Sequence, residues 1–344
     1  MTTSKEEADA FVKSFEKKIE RIKGSDQKSG KNDHYVPQFL LRNFGIKDAA
    51  KKPEEIFEYT RGSLRPERNK IKDVASESGY YDVKSRKNGE ADNLADRIHT
   101  EAIEGPAVPI IRKLETANSG DVLNNKEWNI LGAFVSALYV GTPSFRSQLK
   151  HFLIYLLENN LAKMEDFGKD DTLTDIFHRN IFNIEIDDLR AFRPSKHADI
   201  DFFLKTHLVV ISSLISAHLS EQIFRRDLAI LESSAPDFLI NDNPVFAFDE
   251  KEKIGWPFGF DFKDNQDIYL PISPRRCLCF TQGEMGKSRP LIVCPLEGKN
   301  KMGIDLINCN LFYRAEERVY FYEEREDIQQ NLNQTKKLHN YNFC

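Results

Sequence analysis

The residues best suited to chemistry lie in one short stretch, residues 32–45. Gln38 and Arg42 are four apart there, so they point the same way on a helix, and His34 lies just before the start of that helix. Pro37 suits the first position of such a helix, because its missing N–H is not needed there. The unpaired backbone N–H groups of a helix N-terminus attract anions. A histidine, an amide and a guanidinium converging at that point therefore predict a phosphate or carboxylate ligand.

The same stretch also has a purely structural interpretation. Phe39, Leu40 and Phe44 share an apolar face, so the segment reads equally well as a short capped helix packed on a core. His34 would then be a structural hydrogen-bonding residue and Arg42 an ion-pair partner. A single motif carries a real risk of a false positive, and the sequence leaves both interpretations open.

Two turn segments in the C-terminal half supply the other candidate residues. Residues 241–244 separate two apolar runs, and Asn or Asp before a proline favours a tight turn. Beside a cleft, Asp242 would be a general base, a partner that orients a histidine, or a metal ligand, with Asn243 next to it. Ser273 and Arg275 lie at a second turn before a strand, where a guanidinium would bind an anion. The alternative is that both segments are simple turns.

Together these segments define one candidate site. Metal-independent phosphodiester cleavage needs a group that moves a proton and cations that stabilise the charge of the transition state. A His–Asp pair with two arginines meets that need. The candidate catalytic residues are His34, Asp242 and Arg42, and the candidate ligand-binding residues are Gln38, Asn243, Ser273 and Arg275.

Three functional hypotheses follow from these residues. The first is a nuclease-like hydrolase acting on phosphodiesters or nucleotides, as a toxin or defence effector. The second is a non-catalytic module that binds a nucleotide, a nucleic acid or a protein. In the third, the motifs only hold the fold together. Sequence motifs for nucleotide-binding P-loops, serine hydrolases, zinc proteases and Rossmann folds are absent, so none of these classes is indicated.

No cofactor is identified from the sequence, and a divalent metal stays open. Asp92, Asp96 and His99 would share one face of a helix at spacings of four and three. Such a set offers metal ligands, although a solvated helix face explains it more simply. Glu101 and Glu104 lie near the Pro106 break in the same region, where the side chain of either one could turn inward.

Composition restricts the class of protein. The chain has 344 residues and a net charge of −5, so it has no overall basic field for nucleic acid, although a local basic groove remains compatible. Its five cysteines are odd in number and show no CxxC spacing, which predicts buried free thiols rather than disulfides or a zinc site. The N-terminus lacks an apolar signal core, and no apolar run approaches ~18 residues. We therefore expect a cytoplasmic protein with no membrane partner.

The order of the apolar patterns predicts an α+β fold. A charged amphipathic helix and linker fill 1–30 and offer a docking element for a protein partner. A single domain spans 31–323, with a helical middle and a mixed or antiparallel sheet built from N-terminal and C-terminal strands. A polar tail follows at 324–344. Arg146 lies among apolar residues of the helical middle, so it needs an acidic or carbonyl partner.

Four motifs in this order resemble a known family. They are His34 to Phe44, Thr142 to Arg146, Asn241 to Val245 and Pro271 to Arg275. The sequence is similar over roughly 34–322 to the bacterial domain-of-unknown-function family catalogued as number 4238. The resemblance implies a shared fold and shared site positions, and it brings no established reaction. One departure is Gly141, at a position where the family often has arginine, which puts any role of an arginine there in doubt.

Overall fold

A computed structural model describes most of the segments that carry the motifs. Most of the predicted N-terminal helix and linker, the segment 160–200 and most of the predicted helix at 201–221 lie outside the described residues. The described part is an α+β fold with helices between N-terminal and C-terminal strands, as predicted. The described residues are 17, 21–22, 32–47, 52–81, 83–84, 91–92, 94–158, 216, 219–248, 262, 265–283, 290–297 and 302–335.

A four-stranded sheet joins the two ends of the chain. The central strand β13 is antiparallel to both neighbours, with Val319 facing Tyr59 on one side and Asn241 on the other. The predicted sheet of N-terminal and C-terminal strands is thereby confirmed. In spatial order its strands are β3 (Glu67–Lys70), β2 (Glu55–Thr60), β13 (Arg318–Phe321) and β8 (Ile240–Asn241).

A five-stranded sheet comes from the C-terminal half. Neighbouring strands are antiparallel except β12 and β7, which run parallel. Cys277 and Cys279 lie two apart on β11 as buried free thiols, in agreement with the sequence-based prediction. Cys294 is half-buried and Cys309 is exposed, so the prediction of burial is wrong for Cys309. In spatial order the strands are β12 (Ile292–Pro295), β7 (Asp227–Glu232), β11 (Arg276–Thr281), β10 (Asp267–Ser273) and β9 (Phe246–Phe248).

Two short antiparallel pairs lie near the first motif. β1 (Asp33–His34) pairs with β4 (Ser76–Glu77), so that His34 faces Ser76. β5 (Val83–Lys84) pairs with β6 (Ala91–Asp92).

The helices follow the predicted apolar periodicity. The long helix α4 begins with a capping box, in which the Asn124 side chain accepts from the Glu127 amide and the Glu127 side chain accepts from the Asn124 amide. The helices are α1 (Gln38–Asn43), α2 (Leu94–Arg97), α3 (Gly105–Thr116), α4 (Asn125–Val140), α5 (Pro143–Glu158), α6 (Met302–Arg314) and α7 (Glu326–Gln334). A π-helical segment, Ile98–Glu104, joins α2 to α3.

Two hydrophobic cores hold these layers together. The larger core packs α1, α3 and α4 against the five-stranded sheet. The smaller core packs the four-stranded sheet against α6 and α7. The sequence suggested a polar tail after residue 323, but α7 packs on the smaller core. Most residues of α7 are polar, but Ile328 and Leu332 are spaced by four and therefore lie on one face of the helix. Both side chains are buried.

Arg61 fastens both C-terminal helices to β2. Its guanidinium donates hydrogen bonds to the carbonyls of Phe312, Ala315, Leu332 and Thr335. These carbonyls lie at the ends of α6 and α7, where carbonyl groups lack partners within the helix and the partial charge is negative. Arg61 therefore has a structural role, because its guanidinium supplies partners to these carbonyls.

Candidate functional site

The first motif begins with a short helix whose apolar side is locked into the larger core. Pro37 precedes α1 by one residue, with φ −58° and ψ 136°, and its carbonyl accepts from the amides of Leu40 and Leu41 at 3.0 and 3.1 Å. Both leucines are fully buried. At the other end, a Cβ on Gly45 would lie 2.7 Å from Cβ of Pro53. The helix is therefore fixed at both ends, which sets the positions of its polar residues.

His34, Gln38 and Arg42 form a hydrogen-bonded chain on the other side of this helix. Nε2 of Gln38 lies 2.9 Å from Nε2 of His34, and a terminal nitrogen of Arg42 donates to Oε1 of Gln38 at 2.8 Å. Because Arg42 occupies the amide oxygen, the Gln38 NH₂ group faces the imidazole and can only donate to it. Nε2 of His34 is therefore the acceptor, and a neutral ring carries its proton on Nδ1.

The surroundings keep His34 neutral. Burial is the main cause that lowers the pKa of His34, and the nearby charge of Arg42 lowers it further. Backbone hydrogen bonds at Val74 and Lys72 and the charge of Asp73 oppose this shift. An imidazole with a lowered pKa is unprotonated near neutral pH, and it can take up a proton on Nε2 only when the contact with Gln38 is released.

The Asp242 carboxylate accepts hydrogen bonds from the backbone of another segment. Oδ1 accepts from the amide of Glu316 at 2.7 Å, and Oδ2 accepts from the amides of Glu317 and Arg318 at 2.8 and 2.9 Å. Burial raises the pKa of Asp242 to about 6, although these three amides lower it. In the described part of the chain it has no hydrogen bond to His34 or Arg42. These contacts favour an anchor for the turn between α6 and β13, and a chemical role for Asp242 stays a prediction.

The other candidate ligand-binding residues lie at turns. The Asn243 amide donates to Oδ1 of Asn241 at 3.1 Å, which is the Asx-turn alternative considered from the sequence. Oγ of Ser273 accepts from the Arg275 amide at 3.4 Å, and the exposed Arg275 guanidinium donates to the carbonyl of Ser234. The hydrogen bonds thus join three of the seven predicted residues into one group, and the remaining four lie at two other turns.

A second group of polar side chains lines a cavity, which we call the π-helix cavity. The sequence did not predict a site there. The cavity lies between the first motif and the π-helical segment and is lined by Tyr35, Pro37, Tyr81, His99, Glu104 and Phe134, among others. π-Helical turns are rare and occur often at functional sites. The side chain of Glu104 does turn inward, as its position near Pro106 suggested.

Electrostatics in the π-helix cavity favour neutral side chains. Burial raises the pKa of Glu104 to about 8, and the charge of Asp96 adds to the shift. Burial lowers the pKa of His99 to about 4, and the charge of Arg146 adds to that shift. His99 also stacks on Tyr81, with ring centroids 4.6 Å apart. Perturbed carboxyl and imidazole groups in one cavity mark a candidate functional site.

Arg146 braces the wall of this cavity. Its guanidinium lies 3.7 Å from the ring centroid of Tyr80 and 4.7 Å from that of Tyr81, and it donates to the carbonyl of Tyr80. The carbonyl partner expected from the sequence is thus present, together with two cation–π contacts. Tyr80 in turn donates to the carbonyl of Gly141 at 2.9 Å. A Cβ at Gly141 would lie 3.0 Å from the Tyr81 hydroxyl, so any side chain at that position would press on the cavity wall.

The metal set suggested by spacing is not supported. No group of three His, Cys, Asp or Glu side chains that could hold a metal ion occurs within the described residues. The side chain of Asp92 lies outside them. A sequence signal for the cavity was present in the same region, because Glu104 lies close to the Pro106 break. The π turn that aligns His99 with Glu104 has no sequence signature.

Comparison with known proteins identifies the family. The profile described as "Protein of unknown function (DUF4238)" matches residues 32–325, which is most of the chain. The chain therefore belongs to the DUF4238 family, as the four motifs predicted. No curated protein and no solved structure matches it significantly. In the described segments, none of the helices combines the length and apolar character needed to cross a membrane.

Proposed function

We propose that this protein is a hydrolase directed at phosphodiesters or nucleotides, with His34 carrying a proton and Arg42 contacting the phosphate. The observation that supports this proposal is the chain His34–Gln38–Arg42, whose contacts are 2.9 and 2.8 Å long. It places a neutral imidazole and a guanidinium within one turn of α1. Those are the two kinds of group that metal-independent phosphodiester cleavage needs, and a divalent metal remains an optional addition.

The proposed biological role is that of a cytoplasmic toxin or defence effector with a nucleic acid or nucleotide as its target. It follows from the proposed chemistry, because uncontrolled cleavage of nucleic acid harms a cell. The predicted helix within 1–30 is the proposed docking element for a protein partner. Asp242, Ser273 and Arg275 are secondary in this proposal, since each already has hydrogen bonds to the backbone.

The test compares activity with stability in the same variants. Wild type, His34→Ala, Arg42→Ala and the control Arg68→Ala are incubated with RNA, DNA and bis(4-nitrophenyl) phosphate, and the melting temperature and the effect of expression on growth are recorded. Arg68 is a matched control because it is an exposed arginine paired with Glu55. We expect cleavage by wild type and the control, and at least about a tenfold loss in the other two at similar melting temperatures. Absence of cleavage in all proteins would refute the hydrolase.

A second candidate function is a non-catalytic binding module whose motifs are structural. This candidate is favoured by Asp242, because both of its carboxylate oxygens accept hydrogen bonds from backbone amides, three in all. In that case His34→Ala and Arg42→Ala lower the melting temperature by many degrees and leave no activity to lose. Binding of RNA that persists in His34→Ala without any cleavage would support this candidate over the enzyme.

A further inference from the structure

The outer face of α6 is apolar and open to solvent. Met302, Leu306, Cys309 and Tyr313 follow one another at intervals of four, three and four residues, so they form one narrow line along the helix. We call these four residues the α6 stripe. Met302 is 77% exposed, Leu306 is 43% exposed, Cys309 is exposed and Tyr313 is half-buried. A contiguous exposed apolar surface of this kind marks an interaction site.

The opposite face of α6 is already used by the fold. Ile304, Ile307, Leu311 and Phe312 are buried in the smaller core. Asn308 holds the helix in place, because its side chain is hydrogen-bonded to the backbone just before β8. The helix therefore cannot rotate to bury the stripe within its own chain. A helix that is apolar on all sides is normally covered on all sides, so the stripe needs a partner from outside the chain.

The spacing of the α6 stripe suits a second copy of the same helix. Intervals of four, three and four are the same in both directions, so two antiparallel α6 helices bring their stripes into register. Leu306 then faces Cys309 of the second copy, and Met302 faces Tyr313 of the second copy. Such facing pairs are the layers that two helices form along an apolar seam repeating at about 3.5 residues.

Charges at the two ends of α6 favour the antiparallel direction. Lys299 and Lys301 directly precede the helix in the sequence, and Glu316 and Glu317 follow it. In an antiparallel pair the start of each helix lies beside the end of the other, so opposite charges meet, whereas a parallel pair would bring like charges together. The helix dipoles favour the same direction, because each positive end then lies beside a negative end.

We propose that two copies of this protein associate through their α6 stripes, as an antiparallel helix pair about a twofold axis. Each contact occurs twice in such a pair. A seam of about three helical turns is smaller than a standard interface, which buries roughly 1,200–2,000 Å², so we expect a reversible dimer at micromolar concentrations. The proposal does not depend on the hydrolase activity, because α6 packs on the smaller core and α1 packs on the larger core.

The first test measures self-association of the full chain by sedimentation velocity at several concentrations, with the melting temperature as a check of folding. Met302→Glu and Leu306→Glu each place a charge in the stripe, and Leu64→Glu is the control, because Leu64 is a fully exposed leucine outside α6. We expect wild type and control to dimerise with the same dissociation constant, and the constant of both stripe variants to be at least about tenfold higher. A dimer that both stripe variants leave equally tight would overturn the proposal. A wild type that is monomeric up to the millimolar range would also overturn it and would leave the stripe to a different partner.

The second test determines the direction of the helices by disulfide formation under mild oxidation. One protein carries Leu306→Cys and Cys309→Ser, a second keeps Cys309 and has a fused tag that changes its mass, and both carry Cys344→Ser. We expect mixed disulfide-linked dimers to form at least about tenfold faster than linked dimers of either protein alone, because antiparallel pairing places position 306 opposite position 309. Met302→Glu in both proteins is the control and should slow the linking. Faster linking within each protein would contradict the antiparallel pair, and linking that Met302→Glu does not slow would contradict the α6 stripe as the interface.

Discussion

Gln38 donates an amide hydrogen to His34 across 2.9 Å, and this contact fixes which ring nitrogen of His34 accepts. Arg42 makes the arrangement unambiguous, because it occupies the amide oxygen of Gln38 at 2.8 Å. Rotating the amide would bring its NH₂ group against the guanidinium, so that two donors would face each other. The protonation of His34 is thereby coupled to the identity of residue 38.

Replacing Gln38 with glutamate tests that coupling. A carboxylate at position 38 would still accept from Arg42 but would need a proton donor on Nε2 of His34, so it favours the imidazolium form. We expect the pKa of His34 to rise by at least about one pH unit relative to wild type, measured by NMR titration of labelled histidine. Gln38→Met removes the hydrogen bonds without adding charge and serves as the control. A His34 pKa that is the same in Gln38→Glu and Gln38→Met would show that the contact is absent.

Asp242→Asn tests the anchor for the turn between α6 and β13. An asparagine places an NH₂ group where the carboxylate accepts from the amides of residues 316–318, so at least one amide loses its partner. We expect the free energy of unfolding to fall by ~2 kcal/mol, measured by urea denaturation. Asp327→Asn is the control, because Asp327 is exposed and forms an ion pair with the nearby Arg325. Equal stability of the two variants would argue against an anchoring role.

The same carboxyl group has a defined pH window. The pKa of Asp242 is raised from 3.8 to about 6 in the folded protein, so the folded state binds a proton that the unfolded state has lost. Its contribution to stability is full below about pH 3.8 and falls as the pH rises towards 6. This direction is the opposite of that for a carboxylate held by an ion pair, because burial outweighs the three backbone amides.

The neutral pair in the π-helix cavity predicts two opposite pH dependences of stability. Glu104 has a folded pKa raised from 4.5 to about 8, so its contribution falls as the pH rises through that window. His99 has a folded pKa lowered from 6.5 to about 4, so its contribution falls as the pH drops through that window. Glu104→Gln should gain several degrees of melting temperature over wild type between pH 5 and 8. His99→Gln should have a higher melting temperature than wild type only at acid pH, below about 6.5.

Measured melting curves of wild type and both variants from pH 4 to 9 check this prediction. Glu101→Gln is the matched control, since Glu101 lies on the same segment but forms an ion pair with Arg97. A difference between Glu104→Gln and wild type that stays constant with pH would mean that Glu104 is ionised throughout. A constant difference for His99→Gln would mean that His99 titrates normally.

Local sequence patterns determined much of this protein. Helix α1 follows from the apolar residues between Pro37 and Gly45. The spacing of Gln38 and Arg42 by four predicted that they point the same way, and the position of His34 just before the helix predicted that it lies near them. The apolar repeats at both ends of the chain predicted the α+β fold, and the order of the motifs predicted the family. These features depend on residues close together in the chain, whose relative positions the helix and strand repeats dictate.

Contacts between distant segments were decided only by the tertiary structure. Asp242 reads as a polar residue at a turn, and only the approach of residues 316–318 makes it an anchor. The sequence of residues 324–344 predicted a polar tail. In the structure, Ile328 and Leu332 of α7 are buried in the smaller core. His99 and Glu104 face one cavity because the backbone shifts to a π turn beneath Tyr81 and Arg146. The burial that sets the pKa of each group comes from neighbours far away in sequence, which a local pattern does not specify.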